Sequence, residues 1–559
     1  MRAVALRLLL LTVAMRNLLS ISTGLFLLAT TACGGEGPGA VKEPPVLRVT
    51  SPTRSMIQDH AGPVRVTGTA TPSEGGDPIT KVLVNNVEAT VAADGSFSAM
   101  VEVRDGATLI ETRVTDAAGS TASDTRAVQS GEMRAVGTDV PGAIAVAMSA
   151  DAFTKISAAA GPLLAGLDIA TMLAPLQPMV SAGSDDNGIR LSVNDVNFSN
   201  ATIALSPVDG GLTFRAELTD LDVPGAASWA LLGSDHTTTL GLRASKVIVA
   251  GTLTVTSDGM AGFTTKLDNP DVTISDLEVS ASGIPDVLLG LLNFNNVIGS
   301  IAGKAAELAM NPLMNQALGA LSAPLSLDMF GKTLTMQVDP SEITFATGGA
   351  TLMMSLKVLL GGSEASPGFV FTDNGVPTLD AARGFQIGIA DDLANEMLAE
   401  LAQIGTLDLT MPAEGGTFEE AQIHMTLPPM ISADARDGEM RLVLGDMYAT
   451  FLHNGAPVGK AAVNAKVDLK IAPVSNGFGV ALQLGIPELN IDPVGDVANI
   501  TGLDDAALSK AVAACLGSQI AAITKLLVAI PLPQIAGLQV KNLSIGSDEG
   551  YVMVSGQFD

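Results

Sequence analysis

The chain has 559 residues, more than one hydrophobic core usually supports, so two or three domains are expected. Apolar residues make up 47% of it, yet no run of eighteen or more follows the N-terminal segment, so these side chains are expected inside folded domains. The 30 basic residues against 58 acidic ones argue against nucleic acid as a partner and against docking on anionic headgroups by charge alone.

Residues 1–32 have the composition of a secretory signal, with arginines, an apolar run and small residues before Cys33. The segment resembles a bacterial lipoprotein signal, although Thr30 stands where leucine is usual. The resemblance implies that Cys33 is lipidated and that an N-terminal acyl anchor holds the exported protein in a membrane. Because Gly34 follows the cysteine, we expect the bacterial outer membrane, on either its periplasmic or its external face.

The next two segments are predicted to be a tether and a β-sandwich. Residues 33–45 contain three prolines and indicate a flexible tether. Residues 46–130 alternate as short strands with turn residues at the spacing of a β-sandwich. The Asp-Gly-Ser-Phe segment at 94–97 and the Asp-Ala-Ala-Gly segment at 116–119 resemble turns of bacterial immunoglobulin-like domains. The sequence does not identify a protein partner for this domain.

From about 138 onward, many strands alternate strictly between apolar and polar side chains. Residues 212–219 read Leu-Thr-Phe-Arg-Ala-Glu-Leu-Thr, and residues 463–471 repeat the pattern. Each such strand is expected to have one dry face and one wet face. A sheet with a whole dry face must close on itself or be covered.

Four amphipathic helices are predicted from apolar residues spaced three or four positions apart. One pair brackets the strands of 188–282 and the other brackets those of 420–490, which indicates two similar modules in series. The apolar stripes are Phe153, Ile156, Ala160, Leu163 and Leu167; Leu288, Leu291, Ile298, Ile301, Ala305 and Leu308; Leu393, Met397, Leu401 and Ile404; and Leu508, Val512, Leu516, Ile520, Ile523 and Leu527.

Three segments of this body resemble the family of bactericidal/permeability-increasing and lipopolysaccharide-binding proteins. The Asp-Val-Pro-Gly-Ala-Ile-Ala-Val segment at 139–146 is similar to the opening of the family's first barrel, and 384–395 is similar to the start of the second. The ending is more specific, because an apolar helix is followed by Ile-Pro-Leu-Pro at 530–533 and by a hairpin through 547–550. In their order and spacing, these segments span about 420 residues of the chain.

The resemblance implies an α+β fold. Two tandem curled antiparallel β-barrels, each wrapped on a long helix, would form a boomerang after the N-terminal β-sandwich. The implied domains are an N-terminal lipid-binding barrel at 138–345, a central sheet and linker at 346–384, and a C-terminal lipid-binding barrel at 385–559. Each barrel is expected to enclose an apolar tunnel for acyl chains. The residues expected to line these tunnels are Ile144, Val146, Phe153, Ile156, Leu163, Ile298, Ile301, Leu393, Met397, Leu401, Ile520, Ile523 and Leu527.

Two features of that family are missing from the sequence. The disulfide of its first barrel cannot form, because the only cysteines are Cys33 and Cys515, which both lie outside that barrel. The basic tip that grips lipopolysaccharide phosphates is absent on composition, so endotoxin recognition is not expected.

No catalytic or metal-binding pattern stands out. The four histidines are scattered and have no cysteine or second histidine nearby. The nucleophile elbow of hydrolases, the phosphate-binding loop and the dinucleotide fingerprint are absent. We therefore predict that the protein is not an enzyme and has no cofactor, metal site or catalytic residue.

The sequence as a whole predicts lipid binding or lipid transfer by a membrane-anchored lipoprotein, with a phospholipid or other acyl lipid as the ligand. The alternative is a non-catalytic structural or adhesive surface lipoprotein. In that case the immunoglobulin-like domain binds a partner, and the barrels are merely packed bodies. Extractable lipid would distinguish the two hypotheses.

Overall fold

The computed structural model describes residues 43–259, 262–322, 325–329, 332–360, 368–372, 374–405, 407–412, 418–432, 440–473, 479–485, 487–494, 530–531, 540–548 and 550–558. Strands make up 61% of the structure, so the protein is β-rich with few helices. Within these segments, no helix is long and apolar enough to cross a membrane. Both cysteines and the helix predicted at 508–527 lie outside the described residues.

The N-terminal unit is a sandwich of two sheets. One sheet has the order β1-β3-β7-β6 and the other has the order β2-β9-β8-β4-β5, in which β2 runs parallel to β9. Their facing side chains form a core of their own, with Val66, Val82, Phe97 and Val114 all nearly inaccessible to solvent. The predicted sandwich is confirmed. The strands are β1 (Val46–Ser51), β2 (Met56–Gln58), β3 (Gly62–Thr71), β4 (Ile79–Val84), β5 (Val87–Glu88), β6 (Thr90–Val91), β7 (Ser96–Val103), β8 (Gly106–Asp116) and β9 (Thr121–Ser130).

A half-barrel sheet occupies the first part of the body, with the order β12-β13-β15-β16-β17. Two further strands extend it, because β14 also pairs with β15 and β18 also pairs with β16. The strands are β12 (Val180–Gly183), β13 (Gly188–Val193), β14 (Asn200–Val208), β15 (Gly211–Leu231), β16 (Ser234–Ser257), β17 (Phe263–Ser275) and β18 (Glu278–Ala281). Asp220 in β15 and Asn269 in β17 have positive φ angles of 52° and 50°. Such residues bend strands, which fits the curl of this sheet.

A central antiparallel sheet joins the two parts of the body, in the order β19-β20-β21-β11-β23-β33-β32. Its middle strand β11 pairs with β21 on one side and β23 on the other. Strands from both ends of the body therefore share one sheet. They are β11 (Val140–Ser149), β19 (Leu325–Met329), β20 (Lys332–Ala346), β21 (Gly349–Leu360), β23 (Phe385–Ala390), β32 (Val540–Asp548) and β33 (Tyr551–Phe558). A separate two-stranded ladder joins β10 (Glu132–Arg134) to β22 (Phe369–Phe371).

The described helices are α1 (Ala150–Ala165), α2 (Ile169–Leu173), α3 (Asp286–Leu289), α4 (Phe294–Ser322) and α5 (Asp391–Gln403), with short 3-10 turns at Ala174–Leu176 and Ala381–Arg383. The helices predicted from the stripes at Phe153 and Leu393 are confirmed as α1 and α5. The helix predicted over 288–308 is divided into α3 and α4, because α3 ends with a cap at Gly290.

The last part of the body is an eight-stranded sheet with the order β24-β25-β27-β28-β29-β31, to which β26 and β30 add by pairing with β27 and β28. In β28, Val463, Ala465, Val467 and Leu469 are buried as predicted, but the polar Asn464 between them is buried too. The strands are β24 (Leu409–Pro412), β25 (Glu420–His424), β26 (Met430–Ser432), β27 (Met440–His453), β28 (Ala456–Pro473), β29 (Gly479–Leu484), β30 (Glu488–Pro493) and β31 (Ile530–Pro531).

The sandwich packs on the polar face of the eight-stranded sheet. A Cβ on Gly445 of β27 would lie 2.5 Å from the Cβ of Ala127 in β9, so only glycine fits at this contact. Asn464 donates from Nδ2 to the carbonyl of Thr125 at 2.9 Å, across the same boundary. The expectation of one wet face therefore fails here, because a neighbouring unit packs against the polar side.

The prediction of two tandem barrels, each wrapped on a long helix, is wrong: the structure has one half-barrel sheet and a β-rich second part. The physical reason lies in the cover. A sheet must close only when a dry face has nothing else to pack on, and the dry side chains of β27 and β28 share one cluster with Leu398 of α5 and Val552 of β33. The helix of this part among the described residues, α5, has 13 residues.

Candidate functional site

The half-barrel sheet turns apolar side chains inward. In β14, Ala201, Ile203 and Leu205 are buried and alternate with exposed residues, and Leu212 and Phe214 do the same in β15. This burial follows the period of two that the sequence shows. The inward side chains belong to one hydrophobic cluster that continues through α1, α4, the central sheet and part of α5. We call this cluster the long core.

Helix α1 is fixed against β14 by two close contacts. The buried hydroxyl of Ser157 donates to the Phe153 carbonyl at 2.7 Å and accepts from the Leu205 amide at 2.8 Å. A Cβ on Gly161 would lie 2.5 Å from the Ala201 carbonyl oxygen, so the glycine permits the helix to approach the strand closely. Phe153 and its helical stripe are thereby held in the long core.

Helix α4 lies along β17, at the edge of the half-barrel sheet. Asn315 accepts from the Phe263 amide at 2.8 Å and donates to the Phe263 carbonyl at 3.1 Å. Asn311 accepts from the Thr265 amide at 2.5 Å. These two side-chain amides pair with backbone groups at the strand edge and hold α4 against the sheet. Ile298 and Ile301 of α4 lie in the long core.

Nine of the predicted lining residues come together in the long core. Ile144 and Met397 are half-buried against it, and the other seven are buried members: Val146, Phe153, Ile156, Ile298, Ile301, Leu393 and Leu401. The side chain of Leu163, the residues Ile520, Ile523 and Leu527, and the lipidation candidate Cys33 lie outside the described positions. Residues more than 240 positions apart, from Ile144 to Leu401, therefore share one apolar interior.

A polar stripe on α5 stands beside this apolar interior and was not predicted. Glu396 is 0% exposed and Glu400 is 2% exposed. Oε1 of Glu396 accepts from the Gly137 amide at 2.9 Å. Within the described part of the chain, four side-chain atoms on this face are buried without a hydrogen-bond partner: Oε2 of Glu396, Oε2 of Glu400, and the amide oxygen and nitrogen of Gln403. We call Glu396, Glu400 and Gln403 the polar stripe.

Burial raises the pKa of both glutamates. The pKa of Glu396 is raised to about 8, mainly by removal from water; the negative charges of Glu400 and Asp139 add to the rise, and the Gly137 and Val358 amides oppose it. Burial also raises the pKa of Glu400. Glu396 is therefore mostly a neutral carboxylic acid near pH 7.

The signal for the polar stripe is present in the sequence but ambiguous. Spacings of four and three place Glu396, Glu400 and Gln403 on one helical face, which normally indicates a solvated face. Helix α5 is instead covered by β11, β21, β22, β23 and β26. The cover that these strands provide makes the polar face an interior one.

Two other features bear on chemistry. A surface cavity of about 760 Å³ opens at the N-terminus of α1, lined in part by Ser149, Asp151, Arg383 and Gln557. It contains none of the predicted lining residues. Among the residues that the structure describes, no three or more His, Cys, Asp or Glu side chains are grouped to hold a metal ion.

The model of the family described as glucodextranase, domain B, matches residues 45–131. None of the curated proteins matches the chain. A solved crystal structure of a lipopolysaccharide binding protein is similar over 75% of this chain and 99% of that chain, with 13% sequence identity and a TM-score of 0.36. The family match spans β1 through β9, so the N-terminal sandwich of this chain is similar to domain B of glucodextranase.

Proposed function

We propose that the protein binds or transfers a phospholipid or other acyl lipid, whose chains lie in the long core. One observation supports this proposal above the others: nine of the side chains selected from sequence as chain-binding belong to or pack against one continuous apolar cluster. That cluster extends from the half-barrel sheet through the central sheet to α5.

The energetics favour retention of such a ligand. Each buried methylene contributes about 0.8 kcal/mol, so a chain of sixteen carbons gains on the order of 10 kcal/mol before the cost of its immobilisation. Apolar cavities stay dry and accept apolar guests. A lipid bound in this way should survive aqueous purification.

We further propose that the protein is exported and held at a bacterial outer membrane by acylation of Cys33. The signal-like residues 1–32 and the proline-containing tether at 33–45 support this part of the proposal. An acyl anchor would keep the protein at a membrane surface in spite of its net charge of −28.

Organic extraction of the purified full-length protein, followed by mass spectrometry, tests the lipid proposal. A stoichiometric acyl lipid in the extract is the expected result, with a soluble protein of similar size purified in parallel as the control. If the extract contains no lipid and the protein also fails to take up lipid from vesicles, the proposal is wrong. The structural or adhesive alternative would then account for the protein better.

A further inference from the structure

The polar stripe presents hydrogen-bonding atoms to a place that water does not reach. Four atoms of Glu396, Glu400 and Gln403 are buried without partners among the described residues. A buried polar atom without a partner costs free energy, about as much as a lost hydrogen bond. Apolar side chains at these three positions, like those elsewhere on α5, would not carry this cost.

The stripe also lies next to the surface that we propose binds acyl chains. Leu393 and Leu401 of the same helix belong to the long core, and Met397 packs against it. In an α-helix, residues three positions apart are neighbours on the surface, so Glu396 and Glu400 lie beside Leu393 and Met397 and the two stripes adjoin. An amphiphile could therefore lay its chain along one stripe and its polar group against the other.

We infer that Glu396, Glu400 and Gln403 form a subsite for the cationic amine headgroup of the bound lipid; this inference rests on the proposed lipid-binding function. Two carboxyl groups one helical turn apart can both accept from an ammonium group, which has three donors and no acceptor. The amide oxygen of Gln403 supplies a third acceptor on the same face.

The charges around the stripe favour a cation over an anion or a neutral group. Glu396 lies within the electrostatic reach of Glu400 and Asp139, which are both acidic. An ammonium group beside the stripe would favour the ionised form of Glu396 and offset the negative charge that its ionisation adds, whereas a phosphate or carboxylate would oppose that ionisation. A neutral alcohol would gain hydrogen bonds but would leave the charges uncompensated.

Two probes with the same twelve-carbon chain separate the headgroup from the chain: dodecylamine and dodecanol. Binding of each radiolabelled compound to the delipidated full-length protein is measured by equilibrium dialysis near neutral pH, below the concentration at which it aggregates. The unmodified protein should bind dodecylamine at least about tenfold more tightly than dodecanol. The double variant Glu396→Gln/Glu400→Gln should lose this preference and keep its affinity for dodecanol.

Glu488→Gln is the matched control, because Glu488 is exposed on β30 and far along the chain from α5. It should retain the preference for the amine. Equal binding of the two probes by the unmodified protein overturns the inference, as does a preference that persists in the double variant. Binding of dodecanol alone would leave the lipid-binding proposal intact and reject the amine subsite. If neither probe binds and the extract contains no lipid, both the lipid-binding proposal and the amine subsite are rejected. Because the first comparison uses the unmodified protein, it holds even if the double variant does not fold.

Discussion

Arg54 of the sandwich donates from Nη1 to Oδ1 of Asp446 in the body at 2.9 Å, although the two residues are 392 positions apart in sequence. Asp446 is 0% exposed, and its other carboxylate oxygen accepts from the amides of Ser55 and Ala127. Asp446 lies in a bulge of β27 with a φ of 46°, which directs its side chain toward the sandwich. The sandwich is thus joined to the body by buried hydrogen bonds.

Replacement of Arg54 should destabilise this junction strongly. Arg54 also lies 3.6 Å from Asp492 and 3.3 Å from Asp124, so Arg54→Met leaves several acidic groups without their shared cation. We expect a loss of about 3–5 kcal/mol in the free energy of unfolding, measured by denaturant titration. Arg113→Met, which removes the exposed pair with Glu111, should cost no more than about 1 kcal/mol. Equal losses in the two variants would contradict a structural role for Arg54.

Glu396 should make stability depend on pH in a particular direction. Its pKa is about 8 in the folded protein against 4.5 as the ordinary value, so the folded state holds a proton that the unfolded state releases. Stability due to this group is full below pH 4.5 and is lost as pH rises toward about 8. Glu396→Gln should remove this loss, and should therefore be more stable than the parent by a few kcal/mol above about pH 8.

The measurement is the difference in unfolding free energy between Glu396→Gln and the parent at about pH 5 and about pH 9. Glu307→Gln is a suitable control, because Glu307 pairs with Lys304 at the surface of α4. A difference for Glu396→Gln that stays constant with pH would show that this carboxyl titrates normally.

Larger side chains in the long core should distinguish an apolar tunnel that binds acyl chains from a filled core. If the long core contains a tunnel, Ile301→Trp and Met397→Trp displace lipid at a nearly unchanged melting temperature. In a filled core, the same bulk strains the packing and costs about 1–3 kcal/mol per site. We expect the first result, read from extracted lipid and from thermal melting. Leu232→Trp, at a position 87% exposed, controls for the tryptophan itself.

Membrane attachment should depend on Cys33. Incorporation of a fatty-acid analogue should occur in the parent expressed in a diderm bacterium, and Cys33→Ser should remain unlabelled and leave the membrane fraction. Cys515→Ser should be labelled like the parent. Label on the Cys33→Ser variant would reject acylation at this position.

The sequence predicts those parts of the fold that depend on local periodicity. The alternation at Leu212 to Ala216 places these side chains on the correct faces, and the stripe at Phe153 gives helix α1. The period of an element shows which of its faces is apolar, and in these cases the apolar face is the buried one.

The failures have a common physical cause. Asn464 and Glu400 belong to polar faces, yet both are buried, because the sandwich covers one and several strands cover the other. The periodicity of one element cannot reveal a cover that other elements provide. The second barrel was expected from the family resemblance, and the sequence pattern did not exclude it, because the pattern demands a cover for the sheet without specifying which element provides it.

The amides of Asn311 and Asn315 have a consequence for the behaviour of the protein in concentrated solution. An open sheet edge is a template on which a second chain can add a strand, and such pairing leads to aggregation. At Phe263 and Thr265 the edge of the half-barrel is already occupied by side chains of its own helix. The asparagines thus protect the start of β17 from intermolecular strand addition.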